Sequence, residues 1–195
     1  MPEHPLPRSF FNRDPAAVAR DLLGHLLLHR SPEGSAAGAI VETEAYYGAG
    51  DPASRARRRT PLSEPMWGPP GRAFVYMVHN QWLFNVVTGW PRGPSAVLIR
   101  AVEPRVGVDL MVKRRGVDGR DLARGPGRMT RALGITRAHS GLDVTNPRSP
   151  VQVVRGTPLG PVVKSHRIGV SRDLKRKLRF CVGGSRFVSR QARPT

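Results

Sequence analysis

One cysteine, Cys181, is all the chain of 195 residues contains, so no internal disulfide can form and no cysteine cluster can hold zinc or an iron–sulfur centre. Cys181 falls in Leu178–Val182, a run with strand character, and reads as a small buried hydrophobe. No apolar run reaches the roughly 18 residues that a membrane helix needs. The opening Met1-Pro2-Glu3-His4-Pro5 lacks the basic-then-apolar pattern of a signal peptide. The expectation is an intracellular protein, cytoplasmic and, in a bacterium, nucleoid-associated. The hydrophobic share, 39%, is low for a globular protein but well above the disordered range. Acids are the scarcest class, with 14 Asp and Glu against 32 Lys and Arg and a formal charge of +18. Solubility needs far less charge than this. Such an excess points to a polyanionic partner: DNA, RNA or an anionic membrane. Most of the cations are arginine, which suits bidentate contact with phosphate. A G- and C-rich genome would explain arginine over lysine, but not the shortage of acids. Ribosomal proteins carry similar charge, so composition alone does not separate an enzyme from an RNA-binding module.

What is present reads as one α+β domain over residues 1–195, a curved antiparallel sheet with peripheral helices. Asp14 and Pro15 open a helix as N-cap and first helical residue; Val18, Leu22 and Leu23 give it an apolar face and Gly24 stops it. Strands are predicted at 26–28, 39–46, 74–78, 84–87 and 96–102, with a turn at 32–35. Between the third and fourth of these, His79-Asn80-Gln81-Trp82 reads as the turn of a hairpin. Residues 48–71 are rich in Gly, Pro and Arg and too long for a simple connection; Met66 and Trp67 inside them indicate a structured loop. Helical spacing runs over 106–115 to Gly116, and a short helix from Gly125-Pro126-Gly127 closes at Gly134. Further short strands are predicted at 151–154, 167–170 and 178–182. Residues 184–195 read as a mobile basic tail, and Lys175-Arg176-Lys177 either solvates a turn or adds non-specific affinity.

Val41-Glu42-Thr43-Glu44-Ala45-Tyr46 is the most informative segment. A strand places Glu42 and Glu44 on one face, with Ile40 and Tyr46 beside them. Two like charges on a semi-apolar face cost energy unless something neutralises or uses them. One explanation is a solvated edge strand paired with arginines; the other is a catalytic carboxylate. Tyr46, Tyr76, His79 and Trp82 fall near strand ends and turns, where aromatics often serve as core residues with a polar tip. Aromatic faces beside a carboxylate in a strongly basic protein are also the set needed to hold an unstacked base and attack its sugar.

These residues carry a resemblance to the alkyladenine (3-methyladenine) DNA glycosylases of the mammalian type, which lack a helix-hairpin-helix. It runs nearly end to end: Phe10-Phe11 with Asp14-Pro15, Ile40 to Tyr46, Gly48 with Asp51-Pro52-Ala53-Ser54, Arg59-Thr60-Pro61, Val75-Tyr76, Asn85-Val86 and Val97 to Pro104. It continues through Gly125 to Met129 with Ala132 to Ile135, then Arg179-Phe180, Gly184-Ser185 and Val188-Ser189. The resemblance implies base-excision repair: a damaged purine in double-stranded DNA is flipped out and its N-glycosidic bond hydrolysed. Glu44 matches the residue that activates water, and Arg100 a residue near that water and the backbone, which gives it a positioning role; the alternative for Arg100 is a plain salt bridge to a strand neighbour. Tyr46 and Tyr76 match positions that stack on the flipped base, and Asn85 the one that discriminates at the purine edge. His79 or Trp82 stands where a side chain enters the gap in the duplex. Arg57, Arg58, Arg59 and Arg128 are expected on the DNA backbone, Arg128 at a helix N-terminus suited to phosphate. No metal or cofactor is implied, and no lysine stands at a nucleophile position, so the expectation is a monomeric, monofunctional hydrolase.

The sequence departs from the resemblance at Arg55, where the family usually has His in the base pocket. A guanidinium can stack on a purine but repels cationic bases such as 3-methyladenine, which favours neutral lesions such as hypoxanthine and ethenoadenine. Arg55 could instead turn out to a phosphate. The hairpin turn is also one residue shorter than the family's. Three alternatives stand beside the glycosylase: a DNA- or RNA-binding module, a tRNA-binding domain of formyltransferase-like architecture, and a homologue that binds lesions without excising them.

Overall fold

The structure, a computed structural model, describes residues 4–89 and 93–191. Two short helices come first, α1 (Arg8–Phe11) and α2 (Pro15–Asp21). The Asp14 side chain caps α2, one carboxylate oxygen accepting from the Ala16 and Ala17 N–H groups at 2.9 and 3.3 Å, with Pro15 in the first turn as the sequence predicts. Gly24, at φ +89°, then redirects the chain; a Cβ there would stand 2.3 Å from the Thr157 carbonyl oxygen.

Eight strands make one antiparallel sheet: β1 (Leu26–Ser31), β2 (Gly34–Tyr46), β3 (Ala73–Val78), β4 (Gln81–Thr88), β5 (Ser95–Val106), β6 (Val151–Val154), β7 (Val162–Ser165) and β8 (Arg179–Val182). The order is β3-β4-β5-β2-β1-β6, and β8 pairs with both β2 and β7. β2 organises the sheet. One edge pairs with β5; on the other, Gly34–Ala39 pair with β1 and Glu42–Glu44 with β8. The sheet is strongly curled, and the helices α3 (Val108–Arg115) and α4 (Pro126–Leu133) pack beside it, which is the α+β class the sequence indicates. Phe11, Leu22, Phe84, Ile99, Met111 and Leu133 are fully buried in the main core, each worth about 1.5–3 kcal/mol of apolar transfer.

The structure differs from the sequence reading in instructive places. β2 starts at Gly34, because the turn needs only Pro32 and Glu33. β5 runs to Val106, and the helix expected from 106 begins at Val108: Gly107 breaks the chain at φ +65°, packed so that a Cβ would lie 2.1 Å from the Ser35 carbonyl oxygen. Residues 167–170 are not a strand; the pairing with β8 is made by Val162–Ser165. The 48–71 loop is structured as expected, with single helical turns at Arg55–Arg57 and Glu64–Trp67 and with Met66 buried near Phe74 and Val87. The expected basic tail is tied down through Gln191: Val188 is buried against Val41, Ala101 and Cys181. Its residues 192–195 lie outside the described residues. Cys181 is buried, and loss of solvent pushes its thiol up to about 12, consistent with a packing role.

Candidate active site

β2 and β5 do not pair in simple alternation. The register slips between Ile40 and Glu42 and again between Glu42 and Thr43, leaving Val41 and Arg100 as extra residues. The first slip moves Ile40 away from the expected carboxylate face: it packs in the main core with Ala45, while Val41 joins the Cys181 cluster. The second aims Arg100 between the two carboxylates. Its Nε donates to Glu42 Oε1 at 2.8 Å and its Nη1 to Glu44 Oε2 at 3.2 Å.

Both carboxylates are fully buried. Glu42 Oε1 also accepts from Arg179 Nε at 2.9 Å and Ser189 Oγ at 2.7 Å, and Oε2 accepts the Ser189 N–H. Burial alone would raise the Glu42 pKa, but Arg100 and Arg179 overcome it and hold the group below the usual carboxylate range. Glu44 has a sparser set: the Ile168 N–H at 2.8 Å on Oε1, with the Tyr46 hydroxyl at 2.7 Å and Arg100 on Oε2. Here burial wins, and with the repulsion of Glu42 it raises the Glu44 pKa above the usual range. Tyr46 is pushed well up by its own burial and by Glu44, so it remains a hydroxyl donor.

Tyr46 and Arg100 also line a cavity of about 290 Å³, together with Arg55, Tyr76, Leu98 and Ile168. That volume is at the low end for small-molecule sites and suits one base. Glu44 sits behind this wall, bonded to three of its lining residues. Arg55 lies over the Tyr76 ring, 5.2 Å from its centroid, and Arg167 over Tyr46 at 4.5 Å. A larger groove of about 580 Å³, lined by His79, Trp82, Arg114, Arg128 and Ile135 among others, has no carboxylate in its lining. The buried carboxylates neighbour the smaller cavity.

The remaining candidate residues are dispersed. Asn85 shares a cross-strand row with Phe74, Leu98 and Glu44, but it does not line the cavity; its Nδ2 donates to the Phe74 carbonyl at 3.1 Å. The hairpin turn is two residues, His79 and Asn80, both at positive φ (47° and 59°), the geometry of a type I′ turn. His79 is exposed at the tip. Gln81 and Trp82 belong to β4 rather than to the turn; Trp82 pairs with Met77 and its carbonyl accepts from Thr130 Oγ1 at 2.8 Å. Arg57 lines the cavity edge, Arg58 is exposed, and Arg59 forms a double contact with Glu64 at 2.8 and 2.6 Å. Arg128, exposed in the first turn of α4, reaches Asp121 at 3.3 Å.

Sequence reasoning missed Arg167. Its buried guanidinium holds Asp51 at 2.7 and 2.8 Å, Asp173 at 2.6 and 2.9 Å and the Ala45 carbonyl at 3.0 Å. It thereby fixes the loop that brings the Ile168 N–H to Glu44. Arg179 and Ser189 belong to the stretches that carry the resemblance, which implies no task for either.

The family model of methylpurine-DNA glycosylase matches residues 9–186. Provisionally named 3-methyladenine DNA glycosylases include relatives from Bacillus licheniformis, 42% identical over 97% of this chain and 99% of its own, and from Methanoculleus marisnigri, 44% identical over 95% and 99%. A third, from Bacillus subtilis, is 42% identical over 96% of this chain and 98% of its own. No helix among the described residues is long and apolar enough to cross a membrane. On this full-length evidence the chain belongs to the methylpurine-DNA glycosylase family, as a DNA glycosylase and therefore a hydrolase.

Proposed function

We propose that this glycosylase excises single damaged purines flipped from duplex DNA, using Glu44 as the general base for water. The carrying observation is Glu44 itself: a buried carboxylate with a raised pKa, bonded to the Tyr46, Arg100 and Ile168 groups that wall a base-sized cavity. Water would approach Glu44 between Tyr46 and Arg100. Its oxygen bonds to C1′ of the sugar as the C1′–N bond breaks, the pair of that bond leaving with the base. Glu44 takes the proton released by water, and the product is an abasic site with an intact strand. An ionised Glu44 also stabilises the positive charge that grows on the sugar. A base at this position contributes about 10²–10⁴-fold.

Tyr46 and Tyr76 would stack on the purine. Arg55, over Tyr76 at the cavity mouth, would bring a permanent positive charge to the base and favour neutral lesions, hypoxanthine and ethenoadenine, over cationic 3-methyladenine. Asn85 would meet the purine edge after its amide leaves the Phe74 carbonyl. His79, at the tip of a tight turn, would enter the duplex gap, with Trp82 behind it in β4. Arg57, Arg58, Arg59 and Arg128 would bind phosphates, Arg59 and Arg128 exchanging the exposed Glu64 and Asp121 for the backbone at little cost. The enzyme would act as a monomer, without metal or cofactor, in the cytoplasm on nucleoid DNA.

A duplex carrying one hypoxanthine, incubated with the protein and then treated with alkali, tests this reading. The expected result is a shortened strand after alkali and an uncut strand without it. No shortened strand from hypoxanthine, ethenoadenine or alkylated duplex would replace excision with lesion binding.

A further inference from the structure

We propose that Ser189, in the C-terminal segment, is a positioning residue of the catalytic site, acting through Glu42 and Arg100 on Glu44. This rests on the reading of Glu44 as the general base. Glu42 is held by four donor contacts: Arg100, Arg179, and the N–H and hydroxyl of Ser189, and of these only Arg100 lines the cavity. Val188 is anchored beside Ser189 in the Val41–Cys181 cluster, and Arg179 donates to the Arg190 carbonyl and to Ser165 Oγ. The segment therefore reaches Glu42 as a fixed part of the fold.

The four charges form an alternating chain, Arg179–Glu42–Arg100–Glu44. Arg100 divides one positive charge between two carboxylates, so its service to Glu44 depends on how well Glu42 is satisfied by others. Ser189 and Arg179 supply that satisfaction. The groups facing Glu44 are Glu42 and Tyr46 on β2, Arg100 on β5, Tyr76 on β3, Cys181 on β8 and, across Tyr46, Arg167 of the loop before β8. Of these, only Arg100 is an ion-pair partner of both carboxylates.

The chain gives two substitutions effects of opposite sign. Without its Ser189 hydroxyl partner, Glu42 draws harder on Arg100, and Glu44 loses hold of its proton-repelling neighbour. The acid limb of single-turnover excision should then move to higher pH in Ser189→Ala, by roughly half to one unit, the scale of one hydrogen bond to a charged group passed through a shared partner. Ser189→Thr keeps the hydroxyl and should restore the wild-type limb. Glu42→Gln removes both the competitor and its repulsion, so its limb should move to lower pH.

The experiment pairs these pH–rate profiles on a hypoxanthine duplex with titration of the Glu44 side-chain carboxyl by ¹³C NMR in free protein, assigned with Glu44→Gln. Opposite shifts in Ser189→Ala and Glu42→Gln, with Ser189→Thr at the wild-type position, support the proposal. Identical profiles with only a lower Tm would make Ser189 a packing residue and overturn it. The NMR titration decides the coupling even if no excision occurs, a result that would remove the glycosylase mechanism alone. If Ser189→Ala does not fold, an unshifted or upward Glu44 titration in Glu42→Gln overturns the proposal.

Discussion

Glu42 and Glu44 are two residues apart on β2 and equally buried, but Glu42 is bonded to two arginines and to both donors of Ser189, whereas Glu44 has one arginine, one tyrosine hydroxyl and one backbone N–H. The first set more than offsets desolvation and the second does not, so the two pKa values move in opposite directions. Environment, rather than residue type, divides the labour: one carboxylate becomes a fixed anion of the fold, and the other is left closer to taking up a proton.

The sharpest way to break this contrast is to delete the fixed anion. Glu42→Ala leaves Arg100 and Arg179 buried without their shared partner and should cost about 3–5 kcal/mol of stability in urea unfolding. Glu44→Gln should cost far less, because an ionised Glu44 is itself a burden on the fold. A loss for Glu44→Gln as large as that for Glu42→Ala would contradict the division.

The pH dependence sharpens it further. Glu44 has a folded pKa above its unfolded one, so its ionisation destabilises above the folded value, and stability recovers as pH falls towards the ordinary carboxylate value. Glu42 has the opposite sign: its contribution is present above the ordinary value and is lost as pH falls through its depressed folded value. Wild type should therefore gain Tm relative to Glu44→Gln as pH falls from 8 towards the ordinary carboxylate range of about 4.3. A difference that stays constant over that interval argues against a raised Glu44.

Smaller effects should appear at the rim. Arg55→His exchanges a fixed charge for a titratable ring, and the ratio of 3-methyladenine to hypoxanthine excision should rise about tenfold, the order expected for one partly screened charge. An unchanged ratio would place Arg55 on phosphate. Arg128→Gln should weaken duplex binding by a similar factor for all sequences and lower the salt slope by about one; a change in lesion preference instead would put Arg128 in the base site.

Much of this arrangement was legible in the sequence because it is local. The Asp14-Pro15 cap, the β3–β4 hairpin and the i, i+2 carboxylates each depend on neighbours in the chain. The solvated edge strand is overturned, because β2 pairs on both sides and both carboxylates are buried; only its arginine pairing is present, and Glu44 is bonded to residues that line a base-sized cavity. What could not be read is what comes from afar. Arg167 meets Asp51 across 116 residues, and Ser189 meets Glu42 across 147. The slips that aim Arg100 and turn Ile40 into the core arise from pairing between strands, which alternation within one strand does not encode. The 167–170 run has strand composition, yet Arg167 is drawn inward by two aspartates and the backbone follows it.

Excision and duplex binding measured on one preparation of Glu44→Gln test the assignment most directly. The expected result is hypoxanthine excision reduced by about 10²–10⁴-fold in single turnover, with duplex affinity retained. Excision at the wild-type rate, with binding intact, would contradict it and move the base function elsewhere in the cavity.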